Sequence, residues 1–215
     1  MILALIGPGD IELHYQKLLG IPKEKFNSEL EKIAQSLVNS KVELECLPDR
    51  GISFQLAKLY KQKGGGKVIA TIPKSDRTFG IKHLEPYINE KLNNKPIFDE
   101  TIDSGDWFKH DMTKGLFGHA ILCLGLSKGT DLERNGAEYL YKLISGNKKG
   151  VEVGAKFIHP EIKAGKNFTI FIYSPFLKNK RLGPEDEFYS KHYGVNVIYI
   201  RNSKQLEREL IKFQK

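Results

Sequence analysis

The sequence predicts an α/β protein of the Rossmann type, with a doubly wound, mainly parallel sheet and helices on both faces. Two observations carry this prediction. Short apolar runs recur along the chain, as in strands that are buried on both faces. These runs alternate with stretches whose apolar residues recur at helical spacing. Strands that alternate with helices imply right-handed βαβ crossovers, and therefore a parallel sheet.

The pattern predicts six strands, four long helices and a less regular middle. The strands are expected at Ile2 to Ile6, Val42 to Leu47, Lys67 to Ile72, Ala120 to Leu124, Phe168 to Tyr173 and Val195 to Ile200. The long helices are expected at Glu24 to Asn39, Ile52 to Lys63, Asp131 to Ile144 and Ser203 to Phe213. The middle is expected to hold a short helix near Ile81 to Lys91, a small strand near Pro96 to Phe98 and a helix over Trp107 to Leu116.

The two cysteines bear on the order of the strands. We expect the order 3-2-1-4-5, in which the first strand lies between the second and the fourth. Cys46 and Cys123 would then flank the first strand about 9 to 10 Å apart, at two strand spacings of about 4.8 Å. A disulfide does not span that distance, so both cysteines are expected to be buried free thiols.

Composition predicts a single cytoplasmic domain over residues 1–215. A chain of 215 residues fits one domain. Its apolar runs are much shorter than the ~20 residues of a membrane helix, so no membrane partner is expected. The start, Met1 to Pro8, lacks the basic and apolar regions of a signal peptide. No spacing of cysteine and histidine resembles a metal site, and neither a metal nor a cofactor is expected.

Positive charge is concentrated in one segment. The net charge is +8, and residues 145–181 contain eight basic residues against two acidic ones. Part of this segment, about residues 145–167, alternates like a hairpin and is expected to be a basic insertion. We interpret it either as solvated surface or as a face for an anionic ligand or nucleic acid. Nucleic acid is the less favoured partner, because no aromatic-rich basic stretch offers a stacking platform.

Glycine-containing loops follow several predicted strands. In open parallel sheets, ligands bind beyond the carboxyl ends of the strands, where the strand order reverses. Glycine there lets a phosphate approach the N–H groups of a helix N-terminus. The candidate phosphate-binding residues are Gly7, Pro8, Gly9, Asp10, Arg50, Gly51, Ser127, Lys128, Gly129 and Thr130. The first loop is not a dinucleotide fingerprint, since Glu12 stands where that pattern needs glycine.

The segment from Thr130 to Glu133 has two interpretations. Threonine at the N-cap with glutamate three residues later is a capping box, in which Glu133 only satisfies a backbone donor. On the second interpretation, Gly129 and Thr130 hold a phosphate, and Glu133 is a catalytic residue acting on the adjoining sugar. The residues alone leave both interpretations open.

The stretch from His119 to Glu133, HAILCLGLSKGTDLE, resembles the Pro-Gly-Gly-x-Gly-Thr-x-x-Glu segment of the LOG proteins. Those proteins are nucleoside-monophosphate phosphoribohydrolases of the SLOG superfamily. Arg50 to Ser53, followed by Gly65-Gly66 and a strand that ends at Pro73, is similar to an earlier block of that family, and Ala4 to Gly9 resembles its first strand and loop. The resemblance covers most of residues 1–144 and, more loosely, 168–213. It implies a SLOG domain, a nucleotide-like small-molecule ligand, hydrolysis of an N-glycosidic bond by Glu133, and a homodimer.

The chain departs from the LOG pattern at two places. Gly125-Leu126-Ser127 stands where the family has Pro-Gly-Gly. Lys109 and His110 are the nearest equivalents of the arginine that works with the motif glutamate, and neither has the planar fork of arginine.

The same blocks also resemble DprA, a single-stranded DNA-binding branch of the superfamily. Asp49 to Ser53 is similar to its Ala-Arg-Gly-Ile-Asp, and Gly115-Leu116 is similar to part of its Ala-Gly-Leu-Ser. Three functions therefore remain open. They are nucleotide binding with LOG-like hydrolysis, nucleic-acid binding of the DprA kind, and nucleotide sensing without chemistry.

Overall fold

A parallel sheet of seven strands runs through the computed structural model, which describes residues 1–146, 158–163 and 167–215. The strands in chain order are β1 (Ile2–Ile6), β2 (Glu43–Cys46), β3 (Val68–Ile72), β4 (Lys91–Leu92), β5 (Lys95–Pro96), β6 (Glu100–Asp103), β7 (Ala120–Cys123), β8 (Thr169–Tyr173) and β9 (Asn196–Ile200). The order across the large sheet is β6-β3-β2-β1-β7-β8-β9, and β4 and β5 pair separately as a small antiparallel hairpin.

Helices connect the strands of the large sheet. They are α1 (Lys23–Asn39), α2 (Ile52–Gln62), α3 (Glu85–Ile88), α4 (Trp107–Thr113), α5 (Lys128–Gly146), α6 (Pro160–Lys163), α7 (Pro184–His192) and α8 (Ser203–Phe213). A π-helix spans Glu12–Leu18, and short 3₁₀ turns span Lys82–Leu84, Lys114–Leu116 and Ser174–Phe176. Among the described residues, no helix combines the length and apolarity needed to cross a bilayer.

Apolar side chains cover both faces of the sheet, which is why strands appear in the sequence as apolar runs. Leu3 and Leu5 of β1 pack into a layer with α1, α2 and α8. Ala4 and Ile6, which alternate with them, pack into a second layer with α5 and α6. Helix α4 lies against α5. The sheet is therefore covered on both sides.

The predicted fold class and strand order are confirmed. β1 lies between β2 and β7, with Ala4 in register with Glu45 and Ile6 in register with Cys123. Cys46 and Cys123 are on the two neighbouring strands, and both are buried free thiols. The order reverses at β1, because the chain first extends the sheet on the β2 side and later on the β7 side.

The middle of the chain differs from the prediction. The small strand expected near Pro96 to Phe98 is replaced by the β4–β5 hairpin and by β6, a parallel edge strand next to β3. β6 is mostly exposed, with the sequence ETID, so it has no apolar pattern that would reveal it. Pairing with β3, rather than side-chain burial, defines this strand.

Three helices of the described residues, and a 3₁₀ turn at Ser174–Phe176, were not predicted, and one helix begins earlier than expected. The π-helix Glu12–Leu18 and α7 come from stretches without a clear helical period, and the four-residue α6 lies within the predicted basic insertion. Helix α5 starts at Lys128 instead of Asp131, which makes the predicted N-cap at Thr130 wrong. Most of the predicted basic insertion, about residues 145–167, lies outside the described residues.

Candidate functional site

Loops that follow β1, β2 and β7 meet at one small cavity, as expected at the point where the strand order reverses. The cavity has a volume of about 140 Å³. We call it the ligand cavity; its lining residues are Gly7, Gly9, Leu47, Asp49, Gly51, Ser53, Phe54, Lys114, Ser127, Gly129, Thr130 and Glu133. Six of the ten candidate phosphate-binding residues line it: Gly7, Gly9, Gly51, Ser127, Gly129 and Thr130. The candidate catalytic residue, Glu133, lines it as well.

Close contact between the first two loops depends on glycine. A Cβ atom on Gly51 would lie 2.9 Å from the Cα of Gly9 and 2.9 Å from the carbonyl oxygen of Pro8. A Cβ atom on Gly7 would lie 2.4 Å from Cγ2 of Ile52. The Ile52 N–H donates to the carbonyl oxygen of Pro8 at 3.1 Å. The two loops are therefore packed against each other and joined by a hydrogen bond, and together they form one wall of the ligand cavity.

The N-terminus of α5 forms the opposite wall. Ser127 is its cap, because the Thr130 N–H donates to Ser127 Oγ at 3.2 Å and the two hydroxyl oxygens lie 2.9 Å apart. The capping-box interpretation of Thr130 and Glu133 is thus corrected: Thr130 lies inside the first turn. The N–H groups of Lys128 and Gly129 belong to the first turn as well, where N–H groups have no acceptor within the helix. Gly129 borders open space, since a Cβ atom on it would have nothing within 4 Å.

A buried ion pair lies at the floor of the ligand cavity. Lys114 Nζ lies 3.0 Å from Glu133 Oε1, and the two side chains are only 3% and 11% exposed. Glu133 therefore does not satisfy a backbone donor, as the capping box would require. Burial acts to lower the pKa of Lys114, but the charges of Glu133 and Glu45 outweigh burial and raise it above its ordinary value. Lys114 is a cation held in place by carboxylates.

Glu45 of β2 is a third member of this charged group. Its carboxylate is 1% exposed and accepts a hydrogen bond from the Thr71 hydroxyl. Burial raises the pKa of Glu45 to about 7, and the charge of Lys114 partly opposes this rise. Glu45 Oε2 is buried without a hydrogen-bond partner in the described part of the chain.

The cation beside Glu133 is not the one that the resemblance indicated. Lys109 is more than half exposed and lies 4.0 Å from Asp106. His110 is fully buried, and its Nδ1 lies 2.9 Å from Ser104 Oγ. Lys114 instead supplies the charge, from the turn that follows α4. Lys114 stands four positions after His110, so its side chain extends from nearly the same side of the helical segment.

The pKa values of two titratable side chains on α4 are shifted by the same surroundings. Burial, followed by the positive charge of Lys114, lowers the pKa of His110 well below its usual value. Burial and the nearby charge of Glu133 raise the pKa of Asp111 to about 6, against the opposing effect of Lys114. A ring nitrogen of His110 and one carboxylate oxygen each of Asp111 and Glu133 lie within 4.8 Å of one another. These are the described residues grouped closely enough to hold a metal ion.

Four of the sequence-derived candidates lie away from the lining of the ligand cavity. Arg50 is exposed and lines a separate cavity of about 570 Å³ beside α1 and α2. Pro8, Asp10 and Lys128 line a third opening of about 400 Å³, which the π-helix borders. Asp10 Oδ1 accepts from the Leu13 N–H at 2.9 Å, so its carboxylate caps the π-helix.

Sequence reasoning missed Lys114 and Glu45. The strand VELECL carries Glu43 and Glu45 alternating with apolar residues, and this alternation does not tell that Glu45 is buried. Lys114 carried no signal, because a lysine near a glycine at a helix end is ordinary surface sequence.

No protein-family model matches the chain, and no curated protein is significantly similar to it in sequence. Several solved structures share its fold. A molybdenum cofactor binding protein from the phototrophic bacterium Rippkaea orientalis is 12% identical, with 100% of this chain and 97% of that chain covered and a TM-score of 0.55. The molybdenum cofactor carrier protein of Chlamydomonas reinhardtii is 14% identical, with 99% and 97% covered and a TM-score of 0.56.

A third structure, named TM1055, is 11% identical, with 100% of this chain and 99% of that chain covered and a TM-score of 0.55. Likeness at these identities shows the fold alone. It supports the Rossmann-like α/β fold that the sequence predicts.

Proposed function

We propose that this protein binds a phosphate-bearing, nucleotide-derived small molecule in the ligand cavity. The observation that carries the proposal is the N-terminus of α5, whose first turn opens into the cavity beside Gly129. Unpaired N–H groups and the positive end of the helix dipole favour an anion at such a position. The phosphate accepts a hydrogen bond from the N–H group of Gly129, which lines the cavity.

Charge at the cavity floor orients the rest of the ligand. Lys114 lines the cavity, and its Nζ is held by Glu133 at 3.0 Å. An ammonium in a buried position interacts strongly with a second phosphate oxygen or a sugar hydroxyl, because little water screens it. On the opposite wall, Gly51 packs so closely against Gly9 and Pro8 that a Cβ atom would not fit between them. The cavity volume of about 140 Å³ suits a phosphate and part of its sugar, so the base lies outside it.

Hydrolysis of an N-glycosidic bond is a second candidate, favoured by the position of Glu133 among the cavity-lining residues. In this reaction the bond between the sugar carbon and the base nitrogen breaks, and its electron pair leaves with the base. Glu133 stabilises the positive charge that develops on the sugar and accepts a proton from the attacking water. That water oxygen forms the new bond to the sugar carbon, and a second proton from solvent neutralises the released base.

The solved structures that share the fold favour a small molecule over a nucleic acid. Two of them are described as proteins that bind or carry the molybdenum cofactor. A small ligand in the ligand cavity is therefore proposed ahead of a single strand of DNA.

A thermal-shift screen tests the proposal. Nucleoside mono-, di- and triphosphates, nucleotide sugars and phosphorylated pterins are compared with the matching compounds that lack phosphate. A ligand at a hundred times its Kd stabilises the folded protein by about 2.7 kcal/mol, so a true ligand gives a clear rise in Tm. We expect stabilisation only by phosphate-bearing compounds. Equal shifts with the unphosphorylated compounds, or none at all, would contradict the proposal.

Two further readouts separate the candidates. Chromatography of each stabilised mixture detects free base, which hydrolysis releases and simple binding does not. A single-stranded oligonucleotide is titrated at physiological salt. Sub-micromolar binding that falls steeply with salt, as counterion release requires, would favour the nucleic-acid alternative instead.

A further inference from the structure

A second group of polar side chains adjoins the ligand cavity on the side of α4. A ring nitrogen of His110 and one carboxylate oxygen each from Asp111 and Glu133 lie within 4.8 Å of one another. His110 and Asp111 are neighbours on α4, and Glu133 comes from α5, which packs against it. One imidazole and two carboxylates are donors that divalent first-row transition metals accept in proteins.

The surroundings of His110 resemble those of a metal ligand more than those of an ordinary core residue. Its ring is fully buried, and Nδ1 lies 2.9 Å from Ser104 Oγ. Nε2 is also buried, and it has no hydrogen-bond partner among the residues that the structure describes. A polar atom in that position is costly unless something binds it. Metal-bound histidines typically use one ring nitrogen for the metal and fix the ring through a hydrogen bond at the other.

The charges around this group leave room for a divalent cation. The carboxylates of Glu45, Asp111 and Glu133 all interact with the single buried ammonium of Lys114. When Asp111 and Glu133 are both ionised, Lys114 matches only one of the two negative charges, and buried charges are stable when they are paired or bind a metal. Lys114 contacts Oε1 of Glu133. A metal bound through the other oxygen of that carboxylate would leave the ion pair in place.

We propose that His110, Asp111 and Glu133 bind a divalent transition-metal ion such as Zn²⁺ or Mn²⁺, and that Ser104 orients the histidine. The imidazole ligand favours these ions over Mg²⁺ and Ca²⁺, which prefer oxygen donors only. Sequence spacing does not reveal such a site, since two ligands are adjacent on one helix and the third lies on another. The proposed metal site needs no nucleotide in order to bind its ion, so its test is independent of the proposed function.

The test titrates the chelator-treated full chain with Co²⁺, followed by visible absorption, and with Zn²⁺, followed by calorimetry. We expect one ion per chain with a Kd below about 10 µM. Asp111→Asn removes a ligand charge and should weaken affinity about 100-fold or more. Ser104→Ala removes only the hydrogen bond to His110, and loss of such an outer partner typically weakens metal binding about tenfold.

Two variants serve as controls for adventitious binding. Glu100→Gln and His192→Gln each remove an exposed donor group on an element that contributes no ligand, and both should bind metal as the wild type does. Far-ultraviolet circular dichroism of every variant confirms the fold before titration. Binding weaker than about 100 µM by the wild type, unchanged binding by Asp111→Asn, or an equal loss in His192→Gln would each overturn the proposal.

Discussion

Replacement of Gly129 by alanine separates ligand binding from folding. Gly129 lies in the first turn of α5 and lines the ligand cavity. It is not among the glycines with positive φ, so alanine adopts its backbone conformation without strain. A Cβ atom there meets nothing within 4 Å. The new methyl group therefore enters only the space that the phosphate is proposed to occupy.

The expected effects on stability and on binding have opposite signs. Alanine is favoured over glycine within a helix by up to about 1 kcal/mol, so the free energy of unfolding should stay equal or rise. A group of methyl size takes about 30 Å³, the share of one water in the liquid, which is about a fifth of the 140 Å³ cavity. A phosphate displaced from one N–H group loses a charge-assisted hydrogen bond of about 1.5–3 kcal/mol. Binding should therefore weaken about 10- to 100-fold.

Calorimetry with the best ligand from the screen measures the loss of affinity, and urea denaturation measures stability. Gly66→Ala is the matched control. Gly66 precedes β3 and so lies at the opposite edge of the sheet, and its new Cβ would lie 3.4 Å from the Tyr60 hydroxyl. It should bind ligand as the wild type does. If Gly129→Ala bound with wild-type affinity while fully folded, the phosphate would not lie on the first turn of α5.

Two further predictions concern stability. Ser127→Ala removes the cap of α5 and should lower the free energy of unfolding by about 1 kcal/mol. If Thr130 were the cap instead, Ser127→Ala would leave the free energy of unfolding unchanged, and urea denaturation distinguishes the two outcomes. Burial raises the pKa of Glu45 from 4.5 to about 7, so the folded state binds the proton of the Glu45 carboxyl more tightly than the unfolded state does. Protonation of Glu45 therefore stabilises the folded state at low pH, and this stabilisation is lost as the pH rises to about 7. Glu45→Gln should therefore reduce the loss of stability between about pH 5 and pH 7.5 by about 2 kcal/mol, and an unchanged pH dependence in denaturation experiments would contradict a buried, shifted carboxyl.

Much of the candidate site follows from the sequence, because glycines and strand ends are local features. The apolar runs at Ile2–Ile6 and Ala120–Cys123 predict strands buried on both faces, and the alternation with helices predicts their parallel order. In a parallel sheet the loops after these strands must meet at one edge. Gly7, Gly51 and Gly129 could therefore be assigned to a common cavity from the sequence alone.

The charges of the site were decided only by tertiary structure. Lys114 reaches Glu133 and approaches Glu45 because its turn, which follows α4, lies against α5, β1 and β7, and no spacing in the sequence records that packing. The start of α5 shows the same limit at short range. Ser127 and Thr130 both suit an N-cap, and local preference does not choose between them. The sheet ends β7 at Cys123, and the short connection that follows leaves Ser127, rather than Thr130, where the first helical turn begins. Periodicity thus determines the buried strands and the long helices of this protein, whereas the partners of its buried charges depend on contacts between residues far apart in the chain.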